Sequence, residues 1–412
     1  MKIWKMAWRN IWRRKRRTLI TCFSVAFGIL YAVLSTGFGD WGYTKLIDDS
    51  ATMGYGHVTV EPHEYNHSPS LDKRIGNSTG IRKTALGTEG VSGAMERIVG
   101  QAMIASATKS IGGMFLAIDP SQEATEYNLF LKKMVEGEIF SGTDGGEIII
   151  GVKIAEKLGL KMGKKIIYTI TDVNGEIVSE IARVSGMFKT GVEEVDGAMV
   201  VLPIDRVRKT LGYGSDEATM VSVLISDQRR ADRVTERLQK ALGGNVAVLP
   251  FTETQEEIVS LIAIDKSFNY LFQVFLGMLV AAGILNTILM AVLERTREFG
   301  IMMAIGMSPG KLFKLVLAES FWIGVVGLFM GVIVSAPFYY YFHTTGLDLT
   351  TMMPEGYSAG GGVPMYTVMK IRLFPESVIA IFVVVFLLTI LAGLYPAYKA
   401  GRVPPVESIR VI

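Results

Sequence analysis

Apolar and polar positions along this chain separate into long blocks. Four stretches, residues 18–38, 266–293, 312–342 and 376–396, are almost wholly apolar. Each has the ~20 residues that a helix needs to cross the hydrocarbon core of a bilayer. Between the first two lie residues 39–265, where the pattern changes to short alternations broken by Gly, Pro, Asn and Asp. Gly56–Val60, Ile98–Ala107, Met114–Ile118, Lys164–Ile170, Ile181–Phe188, Met199–Leu202 and Met220–Ile225 read as strands. Asn174-Gly175 is a hairpin turn signal. Ser121–Val135, Lys153–Leu158 and Asp227–Leu242 carry helical spacing. Strands and helices mix without strict alternation. The pattern therefore predicts a membrane α-helical protein with four transmembrane helices and a large α+β extracytoplasmic domain, in two subdomains, between the first and second spans.

Residues 294–311 break the block pattern. Phe299, Met302 and Met303 fall at i, i+3 and i+4, one stripe of a short helix. Glu298 sits in its first turn, where the helix dipole favours an acid. Gly306 follows as a stop, and Ser308-Pro309 reads as N-cap and first position of the next helix. The expectation is a short amphipathic helix outside the bilayer, joining two spans.

Charge orients the blocks. The chain is 50% hydrophobic and 20% charged, with a net charge of +3. The charge is unevenly placed: in residues 1–17, Lys2, Lys5, Arg9, Arg13, Arg14, Lys15, Arg16 and Arg17 occur without an acid. Trp4, Trp8 and Trp12 fall on one face there, as in a helix lying at a membrane surface. No small-residue cleavage site follows the first apolar run, which reads as an uncleaved span. The positive-inside rule then places residues 1–17 and the basic tail 397–412, with Lys399, Arg402 and Arg410, in the cytoplasm. Residues 39–265 and a loop at 343–375, rich in Met352, Met353 and Gly360–Gly362, fall outside. A basic stretch beside a span serves anchoring rather than nucleic acid, so no nucleic-acid partner is expected. Cys22 is the only cysteine, which excludes an intrachain disulfide.

Candidate catalytic chemistry is sparse. His63-Glu64-Tyr65-Asn66-His67 matches the zincin pattern, whose histidines must share a helical face. Pro62 and Pro69 bracket it, so a loop is expected, with no metal and no catalytic residues. Gly306-Met-Ser-Pro-Gly310-Lys311 is one residue short of a phosphate-binding loop, and Leu312 stands where its hydroxyl belongs. Inside the spans, Asn269, Gln273 and Asn286 are expected to face other helices, and Gly327 and Gly331 to permit close helix packing. Glu319 lies just inside the third span, with Lys314 as its expected partner.

Glu294-Arg-Thr-Arg-Glu-Phe-Gly-Ile301 followed by Ala304-Ile-Gly-Met-Ser-Pro309 resembles the signature of the MacB/FtsX-type ABC permease family. The order Glu136-Gly-Glu-Ile-Phe140, Gly146-Glu-Ile-Ile-Ile-Gly151 and Gly197-Ala-Met-Val-Val-Leu-Pro203 resembles that family's periplasmic core domain, and Tyr395-Pro-Ala-Tyr-Lys-Ala400 its ending. The resemblance implies that the short helix is a coupling helix touching an ATPase, with Glu298, Phe299, Gly300, Met302, Met303, Gly306, Ser308 and Pro309 at the contact. It implies an inner-membrane protein that is not itself an enzyme and binds no cofactor, with ATP and Mg held by a separate ATPase subunit. A second permease protomer, identical or homologous, completes the expected assembly. Length and the lack of a fused ATPase resemble the LolC/LolE branch, which implies a lipoprotein or other membrane-derived cargo. Drug or peptide efflux and signalling to a cell-wall hydrolase remain open alternatives at this point.

Overall fold

The structure is a computed structural model that describes residues 2–350 and 366–402. The chain divides into two units. One comprises residues 1–42, 263–348 and 368–412, and the other residues 43–262 and 349–367.

The first unit is helical. A short N-terminal helix, Lys2–Arg13, precedes a long helix, Lys15–Ser50. Glu256–Glu294, Pro309–Thr344 and Pro375–Gly401 are the other long helices. These four long helices are the ones, among the described residues, long and apolar enough to cross a membrane. The helices overrun the apolar blocks: the first continues past Phe38 to Ser50, and the second begins at Glu256, ahead of residue 266. Helical hydrogen bonding does not stop where lipid would, because polar residues such as Asp48 and Glu256 continue a helix in water as well. Tyr395-Pro396 does not end the fourth helix, which runs to Gly401 with Pro396 buried inside it. A proline removes one N–H and bends the axis, but here the residues around it stay packed, with Ala397 and Ala400 fully buried. Val25 and Ile29 of the first long helix, Ile284 and Ile288 of the second, Leu315 and Ile323 of the third and Ala392 of the fourth share one apolar core.

The second unit is α+β and sits between the first and second spans. Its main sheet has ten strands: β1 Val58–Glu61, β2 Val91–Ala105, β3 Ser110–Ile118, β4 Met134–Gly137, β5 Glu147–Gly151, β6 Lys165–Thr171, β7 Ile177–Phe188, β8 Met199–Pro203, β9 Met220–Ile225 and β10 Ala247–Pro250. Six of them close into a ring, β2-β3-β8-β5-β7-β6 and back to β2. The closure is made by Met103–Ala105 of β2 pairing with Ile167–Thr169 of β6. Ring closure leaves those strands no open edge. The first half of β2 instead carries β9, then β1 and β10. One connected sheet thus replaces the two expected subdomains.

β9 is buried along its whole length, since Val221, Val223 and Ile225 enter the main core while Met220 and Leu224 enter cores on the opposite side. The helix expected over Ser121–Val135 is broken into a 3-10 turn at Thr125–Tyr127, a helix at Leu129–Lys132 and strand β4. The cause is Asn128, which is extended and whose side chain accepts from the N–H groups of Phe130 and Leu131. It caps a new helix instead of continuing an old one. Asn174-Gly175 forms its turn between β6 and β7, with Gly175 at φ 82°. Met352, Met353, Gly360–Gly362 and Arg410 lie outside the described residues.

Candidate functional site

The joint between the second and third long helices is built from backbone geometry outward. The second helix ends at Glu294, and Arg295 turns the chain (φ −104°, ψ 14°) into a short helix, Thr296–Ala304. Its end is closed by two hydrogen bonds, from Met307 N–H to the Met302 carbonyl (2.9 Å) and from Gly306 N–H to the Met303 carbonyl (3.0 Å). This pairing needs a left-handed residue after the helix, and Gly306 supplies it at φ 101°. Ser308 is extended at the start of the third helix and Pro309 is its first residue. The Ser308 side chain makes no capping bond; its carbonyl accepts from Lys311 and Leu312 instead.

The apolar stripe faces the opposite way from the expectation. Phe299 is fully buried, Gly300 is buried, and Met302 and Met303 pack on the core of their own bundle. The outward face is Arg297, Ile301, Ala304 and Ile305, followed by Gly306, Ser308 and Pro309. Ile301 is 48% exposed and Ile305 81% exposed. The physical reason is that residues 299–305 offer apolar side chains all round the short helix. The larger stripe is used to seal the bundle end, and the residual one, Ile301, Ala304 and Ile305 at spacing i, i+3, i+4, is left over. Glu298 is likewise engaged within the chain, with Arg13 at 3.3 Å and Arg295 at 3.2 Å.

Arg295 organises the surroundings. One of its terminal nitrogens reaches both oxygens of Glu319, at 3.0 and 3.1 Å, and its guanidinium lies over the Phe299 ring. Asn10 of the N-terminal helix donates to the same carboxylate at 2.7 Å. Lys314, the expected partner of Glu319, is exposed elsewhere, because five residues along a helix do not share a face. Arg17 makes a bidentate pair with Glu294 at 2.7 and 3.1 Å, and Arg14 also reaches Glu294. The N-terminal helix further docks its indoles: Trp4 meets Phe321 and Trp8 meets Trp322 of the third helix, at ring separations of 5.0 and 4.8 Å. Sequence reading missed these clamps. The available signal was complementary charge, since Arg13, Arg14 and Arg17 face Glu294 and Glu298.

Other candidate residues are placed as follows. A Cβ at Gly327 would stand 2.8 Å from Val25, and one at Gly331 2.9 Å from Ile29 Cβ, so the third helix approaches the first along this pair. Asn269 accepts from Ser35 at 3.0 Å, and Gln273 donates to Thr36 at 3.2 Å, both across to the first helix. Asn286 does not face a neighbouring helix; it is exposed in mid-helix and makes no side-chain hydrogen bond among the described residues. His63-Glu64-Tyr65-Asn66-His67 is a turn with Glu64 at φ 62°. His63 contacts the Gly244 carbonyl, Tyr65 is buried, and no group of metal-ligating side chains occurs among the described residues. In the α+β unit the sequence also hid a buried pair, Arg97 with Glu123. Arg97 holds both carboxylate oxygens at 2.8 and 2.9 Å and the Gly54 carbonyl, just beyond the first long helix, at 2.7 Å.

Two family models match this architecture: MacB-like periplasmic core domain over residues 18–241, more than half the chain, and FtsX-like permease C-terminal over residues 270–405. The chain belongs to the MacB/FtsX-type ABC permease family. Within the family it is 24% identical to the lipoprotein-releasing system transmembrane protein LolC of Xylella fastidiosa, over 97% of this chain and 96% of that one. It is also 24% identical to an ABC transporter permease of Methanocaldococcus jannaschii, over 98% and 96%. Against the macrolide export ATP-binding/permease protein MacB of Nitrobacter winogradskyi, identity is 24% over 95% of this chain but 58% of that protein. As a MacB/LolC-type permease, the chain is the membrane component of an ABC transporter, which implies an ATPase as its partner.

Proposed function

We propose that this permease relays the motion of a separate ATPase subunit across the membrane to its α+β domain, and that the cargo is a lipoprotein released from the membrane. End-to-end correspondence with LolC supports this reading most directly, covering 96% of the relative against 58% for MacB. The site of ATPase contact is the exposed face Arg297, Ile301, Ala304 and Ile305 with the turn Gly306, Ser308 and Pro309. A short helix that presents leftover apolar side chains suits the helix-in-groove mode of recognition. ATP and Mg belong to the ATPase, and the roles of Phe299, Met302 and Met303 are to hold the helix to its own bundle.

In this reading both termini and the short helix are cytoplasmic, and the α+β unit lies outside. A second permease protomer completes the assembly. Asn286 supports its placement, because an exposed amide amid apolar side chains finds a partner across a helix–helix contact. Export of a small molecule is a second reading, favoured by the full-length correspondence with the permease part of MacB. Reconstituted complex loaded with a lipidated protein separates the two: ATP-dependent release of that protein supports lipoprotein transport. ATP-dependent uptake of a macrolide without lipoprotein release would replace it with export.

A further inference from the structure

A cavity of about 150 Å³ opens between the N-terminal helix, the first two long helices and the start of the short helix, with Arg13, Arg14, Arg17, Arg295, Thr21 and Thr287 on its wall. We propose that it binds a phosphate-bearing anion.

Two independent observations carry this. The first is an orphan donor. Arg295 is nine-tenths buried; its Nε is committed to Glu298 and one terminal nitrogen to Glu319, yet the other, Nη2, is buried without a hydrogen-bond acceptor among the described residues. A buried cationic donor left unmet is costly, and this one belongs to a residue on the cavity wall. The second is charge. Among the described residues, Arg13, Arg14, Arg17 and Arg295 pair only with Glu294, Glu298 and Glu319, and Arg14 and Arg17 share the single carboxylate of Glu294. Counted over those residues, the cluster is one negative charge short. Guanidinium forks match phosphate oxygens bidentately, which a chloride or a water cannot exploit. The Glu298 and Glu319 carboxylates also line the cavity; both are already paired, with Arg13, Arg295 and Asn10. Ile11, Ile288 and Ile323 complete the wall. They give it an apolar side that suits the glycerol end of a phospholipid, and basic pockets between membrane helices are recurrent headgroup sites. The same donors would hold a free phosphate ion.

The test uses the purified full-length chain in neutral detergent, stripped of lipid. Retention of phosphatidylglycerol, phosphatidylcholine or inorganic phosphate is read by native mass spectrometry and by the thermal midpoint. Wild type should retain phosphatidylglycerol and gain stability from it, and phosphatidylcholine should do neither. Arg295→Lys keeps the charge facing Glu319 but removes the fork, and should weaken retention about tenfold. Arg14→Gln with Arg17→Gln, at the exposed rim, should weaken it similarly and keeps the test valid where Arg295→Lys fails to fold. Stabilisation by inorganic phosphate alone, lost in the same variants, would support the site with the free ion as its occupant. Equal retention of both lipids, or retention unchanged in the rim variant, would overturn the proposal.

Discussion

Arg295 and Glu319 meet 24 residues apart, with both carboxylate oxygens within 3.1 Å of one guanidinium nitrogen, and Asn10 closes the same carboxylate from a third element. This contact fixes three helices to one another directly beneath the short helix. It ties the joint to the bundle through side-chain bonds, the kind of connection a mechanical relay requires.

Breaking that pair should destabilise the bundle. Removing one partner of a buried ion pair leaves an uncompensated charge, typically ~3 kcal/mol or more. Glu319→Ala should lower the thermal midpoint of the detergent-purified protein clearly. Glu319→Ala combined with Arg295→Met should recover part of the loss, because the stranded charge is gone.

The approach of the first and third long helices predicts a steric effect. Gly331→Val places new atoms against Ile29, and overpacking of this kind costs roughly 1–3 kcal/mol. The midpoint should fall, and Ile29→Ala in the same chain should restore part of it. An unchanged midpoint for Gly331→Val would show that the helices can separate there freely.

Glu61 predicts a pH dependence in the α+β unit. Its side chain is buried and accepts one backbone hydrogen bond, from Asn66. Burial pushes its carboxyl up to about 7. The folded protein therefore holds this proton more tightly than the unfolded chain, whose carboxyl titrates near 4.5. Stability from this group is fully present below about 4.5 and is lost as pH rises through about 7. Glu61→Gln should flatten the fall in thermal midpoint between pH 5 and pH 8. Identical slopes in wild type and variant would contradict it.

How much of this was legible follows from the kind of signal. The spans could be read because burial in lipid demands a long apolar block, and the break at 294–311 stands out against it. Which face of the short helix turns outward could not be read. Phe299 and Ile305 are both apolar, and only the position of the bundle separates them. Asn128 illustrates a second limit: its cap overrides a helical spacing that Ser121–Val135 carries. Closure of the sheet between β2 and β6 joins residues some sixty positions apart and leaves no local trace. Arg97 looked like any strand arginine, because its value lies in Glu123 and the Gly54 carbonyl.

Orientation can be checked on intact spheroplasts. In a Cys22→Ser background, Ser121→Cys in the α+β unit should react with an impermeant thiol reagent, and Ser308→Cys at the joint should react only after lysis. The reverse pattern would invert the topology.

The central claim is that the outward face of the short helix engages an ATPase. Large apolar side chains at the centre of an interface cost about 2 kcal/mol or more when truncated, roughly thirtyfold in affinity. The measurement is recovery of the ATPase subunit with the detergent-solubilised permease, together with ATP turnover of the reconstituted complex. The permeases compared are wild type, Ile301→Ala with Ile305→Ala, and Met302→Ala. The account predicts that the Ile301/Ile305 variant loses the ATPase and its coupled turnover while its thermal midpoint stays at the wild-type value. Met302→Ala should instead lower the midpoint, with the ATPase still bound. Equal ATPase recovery and equal turnover for the Ile301/Ile305 variant would contradict the assignment.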